Sequence, residues 1–373
     1  MKFTVDRDLF ARALARIQGV LSRKATMAVL SNVLLEARPQ GQLRVAATDL
    51  DVTFDGTVAA EVERPGRITV DGKRLYDVVR SLPGEKVEVD IGADDRITLH
   101  CRNTEFVLLG TAADQFPSLP SVEGVDLMPV SGSALHELIE RTAFSVSTDE
   151  SRPNLNGVFF RCVGKNRIRM VSTDGHRLSQ GERNAARDDG PSLPERDGVI
   201  IPRKGVGELK RLLEEVGDEV AFGFTDNMLV VGAPGLLLFV RLIDAAFPDY
   251  RQVIPKSSER RAVVRRLPFL AALRRIGILA SERTHGVRIA VRPGSITLLS
   301  DNPDLGKARE EIEIEGYEGG ELNIAFNAKY VQEILGILSA EKVEMAMNEA
   351  LSPGLFREFE NDDYLFVVMP MRI

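Results

Sequence analysis

A chain of 373 residues, 44% hydrophobic and 28% charged, has ordinary globular composition and room for two or three domains. A net charge of −7 argues against coating nucleic acid by bulk charge, and two cysteines and four scattered histidines exclude a disulfide scaffold or a zinc centre. The opening MKFTVDRDLF has acids where an export signal needs an apolar run, and the longest apolar run, 235–240, is far too short to span a bilayer. A cytoplasmic protein is expected.

From the start, residues 6–21 place Phe10, Leu14, Ile17 and Leu21 on one helical stripe, with Asp8, Arg12 and Arg16 on the opposite face. An extended run at 32–37 leads to VAATDLDVT at 45–53. A short extended piece at 69–71, a helix at 72–82 and alternating strands at 86–91 and 96–100 follow, and Phe116-Pro117-Ser118 closes the series. The order then recurs. A helix at 131–146, with Leu135, Leu138, Ile139 and Thr142, precedes a strand at 157–162 and the word VSTDGHRLSQ at 171–180, in which Asp174-Gly175 marks a turn. An extended piece at 200–202, a helix at 204–216 and Phe247-Pro248-Asp249 complete this second series. A third has a helix at 265–280, a strand at 286–291, TLLSDNPDL at 297–305, an extended piece at 324–326 and a helix at 327–338.

The turn marks Asp49, Asp174 and Asp301 lie 125 and 127 residues apart, and acidic turns align at Gly84-Glu85, Gly217-Asp218 and Ala340-Glu341. The chain reads as three tandem copies of one α+β unit, two helices against a mostly antiparallel sheet, divided as 1–122, 123–251 and 252–373. The period is too long for a solenoid, so each copy is a domain. Cys101 and Cys162 fall in strand-like runs of different copies and read as buried thiols.

Catalytic chemistry is sparse. No phosphate loop, dinucleotide fingerprint, HExxH or GxSxG motif is present, and no cofactor is expected. Residues 49–56 fail as a calcium loop, because Thr53 and Phe54 stand where an acid or amide and a glycine are needed. Ser172, Asp174 and His176 could form a hydrolytic triad, but three polar residues around a turn more often bond the local backbone. The six helices and their flanks hold nineteen basic residues against eleven acids, a net of +8, so a chain at −7 leaves −15 for the rest. Basic helices and acidic sheets are the expectation.

Four words in order carry a resemblance: TDGHRL at 173–178, IIPRKGV at 200–206, FPDYRQVIP at 247–255 and VVMPMRI at 367–373. With the opening MKFTV and the threefold layout, they make the whole chain resemble the bacterial DNA sliding clamps, the beta subunits of DNA polymerase III. The resemblance implies a DNA clamp fold, dimerised head to tail into a six-domain ring, with helices lining the hole and sheets forming the rim. It implies a processivity factor without catalysis of its own. Double-stranded DNA would be held topologically, without sequence preference. The polymerase III catalytic subunit, an ATP-dependent clamp loader and other polymerases and repair factors would bind through a short peptide motif.

The same resemblance assigns a partner-peptide pocket to Leu155, Thr173, Gly175, His176, Arg177, Leu178, Pro248, Val253, Asn327, Tyr330, Leu351, Pro353, Val367, Met369, Pro370, Met371 and Arg372. DNA contacts fall to Arg23, Lys24, Lys73, Arg74, Arg152, Asn154, Arg203, Lys204, Arg274 and Arg275, and the dimer interface to Phe106 and Leu108 against Ile278 and Leu279. Adaptable methionine thioethers at Met369 and Met371 suit a groove that accepts varied peptides. Five positions, in three places, depart from the family's habit. Asp149, Glu150 and Pro153 replace aromatic and amide residues in the 148–154 loop, Lys24 replaces an arginine, and Gln252 replaces an arginine beside the pocket. A hydrolase using Asp174 and His176, or a monomeric peptide-binding adaptor, are the rival readings.

Overall fold

The computed structural model describes residues 1–21, 27–92, 94–164, 166–185, 193 and 197–372. Six α-helices are described: α1 (Arg7–Arg16), α2 (Gly72–Ser81), α3 (Gly132–Thr142), α4 (Arg203–Val216), α5 (Arg266–Gly277) and α6 (Ala328–Ile337). Their starts are chemically marked. The Asp6 side chain accepts from the Leu9 amide at 2.9 Å, Asp71 from Arg74 at 2.7 Å and Asn327 from Lys329 at 3.0 Å. The stripe expected to reach Leu21 stops sooner. α1 ends at Arg16 and tightens into a 3-10 turn, Ile17–Gly19, where a β-carbon on Gly19 would collide with the Glu208 carboxylate. Helix 131–146 shortens in the same way, ending at Thr142 and continuing as the 3-10 turn Ala143–Ser145.

The chain forms two compact units. The described parts of 1–133 and 204–242 form one, and those of 134–185, 192–203 and 243–373 the other. The first unit carries a twelve-stranded antiparallel sheet whose strands Val52–Arg64 and Leu236–Arg241 pair side by side, Phe54 opposite Leu238. A repeat boundary therefore lies inside one sheet, and α1 packs on α2 against it. In the second unit a nine-stranded sheet places Tyr364–Val368 between Arg177–Asn184 and Gly354–Glu358, with Leu178 opposite Val367. A four-stranded sheet, in the order Gly306–Glu313, Ser295–Asn302, Gly286–Arg292 and Leu322–Asn327, completes that unit beside the packed pair α5 and α6. Cys101 and Cys162 are buried thiols.

The turn marks have a common physical role. Asp49 Oδ1 accepts from the Asp51 and Val52 amides at 3.1 and 2.7 Å, and Asp174 Oδ1 from those of His176 and Arg177 at 2.9 and 3.0 Å. The third mark shifts by one residue. Asp301 belongs to the strand, opposite Lys307, and Asn302 accepts from the Asp304 amide at 3.0 Å. At the residue after the mark, Gly175 has φ +92°, whereas Leu50 adopts φ +80° with its side chain largely exposed.

The second unit is stitched by a buried carboxylate. Glu358 accepts from the Ser339 and Ala340 amides at 2.9 and 3.1 Å and pairs with Arg141 at 3.2 Å. Burial alone would push its carboxyl up, but those two amides, Arg141 and the Ser339 hydroxyl together hold it below the ordinary 4.5. A carboxyl lowered by folding contributes stability above its unfolded pKa and loses that contribution as pH falls through the folded one. Glu358→Gln should therefore cost about 2 kcal/mol at neutral pH. The gap to the unsubstituted protein should shrink progressively below pH 4.5, as urea unfolding across that range would measure.

Candidate partner pocket, basic helix faces and strand edges

In the second unit, four segments converge on a hollow of about 190 Å³. The turn after Arg167–Thr173 supplies Thr173, Gly175, Arg177 and Leu178. The 3-10 turn Pro153–Leu155 supplies Leu155, beside Arg152, and the Phe-Pro segment supplies Pro248, Asp249, Tyr250 and Val253. Val367 and Met369 complete the wall. Beneath lies an apolar floor of Val171, Leu178 and Val367 with Phe159, Phe247, Tyr250 and Ile254 packed on it. Val253 and Met369 stay 38% and 36% exposed, so apolar surface awaits cover at the mouth.

The remaining pocket residues expected from sequence stand around this hollow in other roles. The His176 carbonyl accepts from the Met369 amide at 2.8 Å, and the Ala325 carbonyl from the Met371 amide at 2.8 Å, so backbone bonds hold the Met-Pro-Met segment down. Arg177 pairs with Asp174 at 3.0 Å and with Glu333, donates to the Phe144 carbonyl at 2.8 Å, and lies over the Tyr330 ring at 4.4 Å. Its fork locks the turn to α6. Burial, joined by the nearby Asp174 charge, pushes the Tyr330 hydroxyl up. Asn327 caps α6, while Leu351, Pro353, Pro370 and Arg372 lie outside the lining, with Leu351 and Arg372 exposed.

Arg152, read from sequence as a DNA contact, donates to the Asp174 carbonyl at 3.3 Å and lies against Gly175, which makes it a wall of the pocket. Arg152, Asp249 and Tyr250 are lining residues that the family words did not assign; only the FPDYRQV run hinted at the last two. The triad does not assemble. Ser172 is buried and donates to the Thr142 carbonyl, Asp174 is consumed by two amides and Arg177, and His176 is exposed outside the lining.

Charge on the helices divides into paired and unpaired groups. Lys204 bonds Asp49 and the Val20 carbonyl, Arg16 pairs with Glu215, Arg211 with Glu208 and Arg275 with Glu310. Burial raises the Glu208 carboxyl despite its arginine. Lys73, Arg74, Arg203 and Arg274 are exposed and make no ion pair among the described residues. Asn154 is half-buried in its 3-10 turn. Arg23 and Lys24 lie outside the described residues.

Each unit has an open strand edge among its described residues. Thr104–Thr111 pairs along its length with Arg96–Cys101, but with Gly66–Asp71 only at Gly110 and Thr111. Phe106 and Leu108 stand opposite the buried Leu99 and Ile97, on the core side, yet remain half-covered. Val107 and Leu109, on the outer side, are 51% and 78% exposed. In the second unit, Gly306–Glu313 is an edge strand, and Ile278, just past α5, is 74% exposed beside the half-buried Leu279.

Comparison with known proteins matches three consecutive family models: the N-terminal domain of the DNA polymerase III beta subunit at residues 1–120, its central domain at 129–249 and its C-terminal domain at 251–372. The Beta sliding clamp of Pseudomonas putida is 35% identical over 375 residues, covering all of both chains. The chain belongs to the DNA polymerase III beta subunit family. Among solved structures of that family, the beta subunit from Pseudomonas aeruginosa superposes with a TM-score of 0.93 at 33% identity over the whole of both chains. The sliding clamp from Bacillus subtilis gives 0.94 at 29% identity, over all of this chain and 99% of its own. The family's three tandem clamp domains account for a helix–strand order that recurs three times while the chain compacts as two units: sheets run on from one repeat into the next.

Proposed function

We propose that this chain is a sliding clamp, a processivity factor that encircles duplex DNA and tethers the replicative polymerase to it. The observation that carries the reading is a family match running through all three domains over the full chain. In this reading the domains are 1–122, 123–251 and 252–373, and two chains join head to tail through the Thr104–Thr111 edge of one and the Ile278 edge of the other. Polymerase III, the ATP-dependent clamp loader and other polymerases and repair factors dock an apolar peptide in the hollow at Met369. The protein works in the cytoplasm and needs no cofactor and no catalytic group.

A chain at net −7 is poorly suited to tight electrostatic binding, so retention rests on topology. Lys73, Arg74, Arg203 and Arg274, with Arg23 and Lys24, make exchangeable phosphate contacts that weaken with salt and carry no sequence information. Once loaded, the protein should stay on a nicked circle through a high-salt gel-filtration column and leave promptly when the circle is cut. Equal retention on circle and linear duplex would return it to ordinary site binding.

A further inference from the structure

The two repeats that carry a Phe-Pro turn align strand by strand, and the alignment uncovers a hollow in the first that the second fills with its own side chains. Leu34 stands opposite Ala46 and Thr69, as Phe159 stands opposite Val171 and Ile200. Arg44, opposite Glu36, matches Arg169, opposite Arg161. Phe116-Pro117-Ser118-Leu119 matches Phe247-Pro248-Asp249-Tyr250.

In the second repeat these positions make an aromatic cluster. Phe159 stacks on Phe247 with centroids 5.0 Å apart, and Tyr250 packs against them at 6.0 and 6.2 Å. Arg169 lies close to Tyr250, and its Nε donates to Glu182 at 2.7 Å. The first repeat has Leu34 and Leu119 where the second has Phe159 and Tyr250, so Phe116 is the one ring left at these three positions. A cavity of about 360 Å³ results, walled by Leu34, Arg44, Arg67, Asp114, Phe116 and Leu119, among others.

Arg44 keeps donor capacity toward this space. Its Nε and Nη2 donate to Asp55 at 2.7 and 2.6 Å and its Nη1 to Glu36 at 3.2 Å, which uses three of the five N–H groups of a guanidinium. Arg67 and Asp114 pair across the wall, but with side chains 61% and 79% exposed they add little rigidity.

We propose that this hollow binds the phenol ring of a tyrosine on a partner chain. The ring lies against Phe116 and Leu34, and its hydroxyl oxygen accepts from Arg44, which lines the hollow at the strand position that Arg169 holds in the second repeat. The intramolecular tyrosine of the second repeat is the template for this occupant, and an aliphatic side chain would leave the remaining Arg44 donors without an acceptor.

The test is a titration of the full-length protein with N-acetyl-L-tyrosinamide, followed by methyl NMR of the Leu34 and Leu119 δ-methyls. Both should shift saturably with millimolar affinity. N-acetyl-L-phenylalaninamide should bind roughly tenfold more weakly, as loss of one hydrogen bond to a charged donor implies. N-acetyl-L-leucinamide should give no saturable shift. Leu119→Tyr supplies the ring from within, so it should raise the melting temperature and abolish the Leu34 shift. Leu34→Phe occludes the same space from the strand and should abolish the Leu119 shift if the first variant fails to fold. Absent shifts, equal binding of the leucine amide, or shifts that persist in a folded occluded variant would overturn the proposal.

Discussion

Replacing Ile278 and Leu279 together by alanine should turn the proposed head-to-tail dimer into folded monomers of 41.1 kDa. Ile278 is 74% exposed in the isolated chain, and Leu279 is half-buried beside it. The opposite edge offers Phe106 and Leu108, which face the core of their own sheet but are only half-covered because no strand lies beyond them there. A second chain laid along that edge would close the core and bury both pairs. The two substitutions remove six carbons per interface, about 5 kcal/mol at ~0.8 kcal/mol per buried methylene. A ring with two equal interfaces loses about 10 kcal/mol, on the order of seven decades in dissociation constant. Folding should survive, since neither side chain belongs to the buried core of α5. Sedimentation at nanomolar concentration decides the matter, and dimers persisting in the double variant would place the interface elsewhere.

Removing residues 369–373 should abolish binding of polymerase-derived peptides while leaving the dimer intact. The deletion takes away Met369, a wall of the hollow, and the amide of Met371 that anchors the segment to Ala325. Fully burying one methionine side chain is worth about 1.5–3 kcal/mol, so losing that wall alone should weaken binding by at least about tenfold. His176→Ala should do far less, because that side chain lies outside the lining. Arg177→Ala should act differently: it frees the turn from Glu333, Phe144 and Tyr330, so the loss would come from a misplaced wall rather than from a missing contact. Calorimetry with a single peptide compares all three variants, and unchanged affinity after the deletion would mean the groove is elsewhere.

Local chemistry was legible in the sequence. Helix starts beside Asp6, Asp71 and Asn327, the helical stripes and the Asp49 and Asp174 turns are each determined within a few residues, and they stand close to where periodicity and the turn words place them. The third turn mark was read one residue early because Asp301 and Asn302 are both competent acceptors, and strand pairing with Lys307 takes the first. Longer-range features were not legible. That Arg152 reaches Gly175, or that Val52–Arg64 pairs with Leu236–Arg241, depends on segments brought together only by folding. Nor does composition reveal that sheets continue across repeats, since each repeat carries enough apolar residues to suggest a core of its own.

The position of Tyr364–Val368 inside the nine-stranded sheet constrains how the protein is made. Its neighbour Arg177–Asn184 leaves the ribosome nearly half a chain-length earlier. At about 5–20 residues per second, that strand waits on the order of ten seconds or more with an unpaired edge toward its absent partner. Such an edge is a template for pairing with other chains, and the charges of Glu182 and Arg183 on it are the sort that discourage this. The delay also works as a check on synthesis. Val367 and Met369 are made long after Leu178, so a chain stopped before them lacks two walls of the hollow.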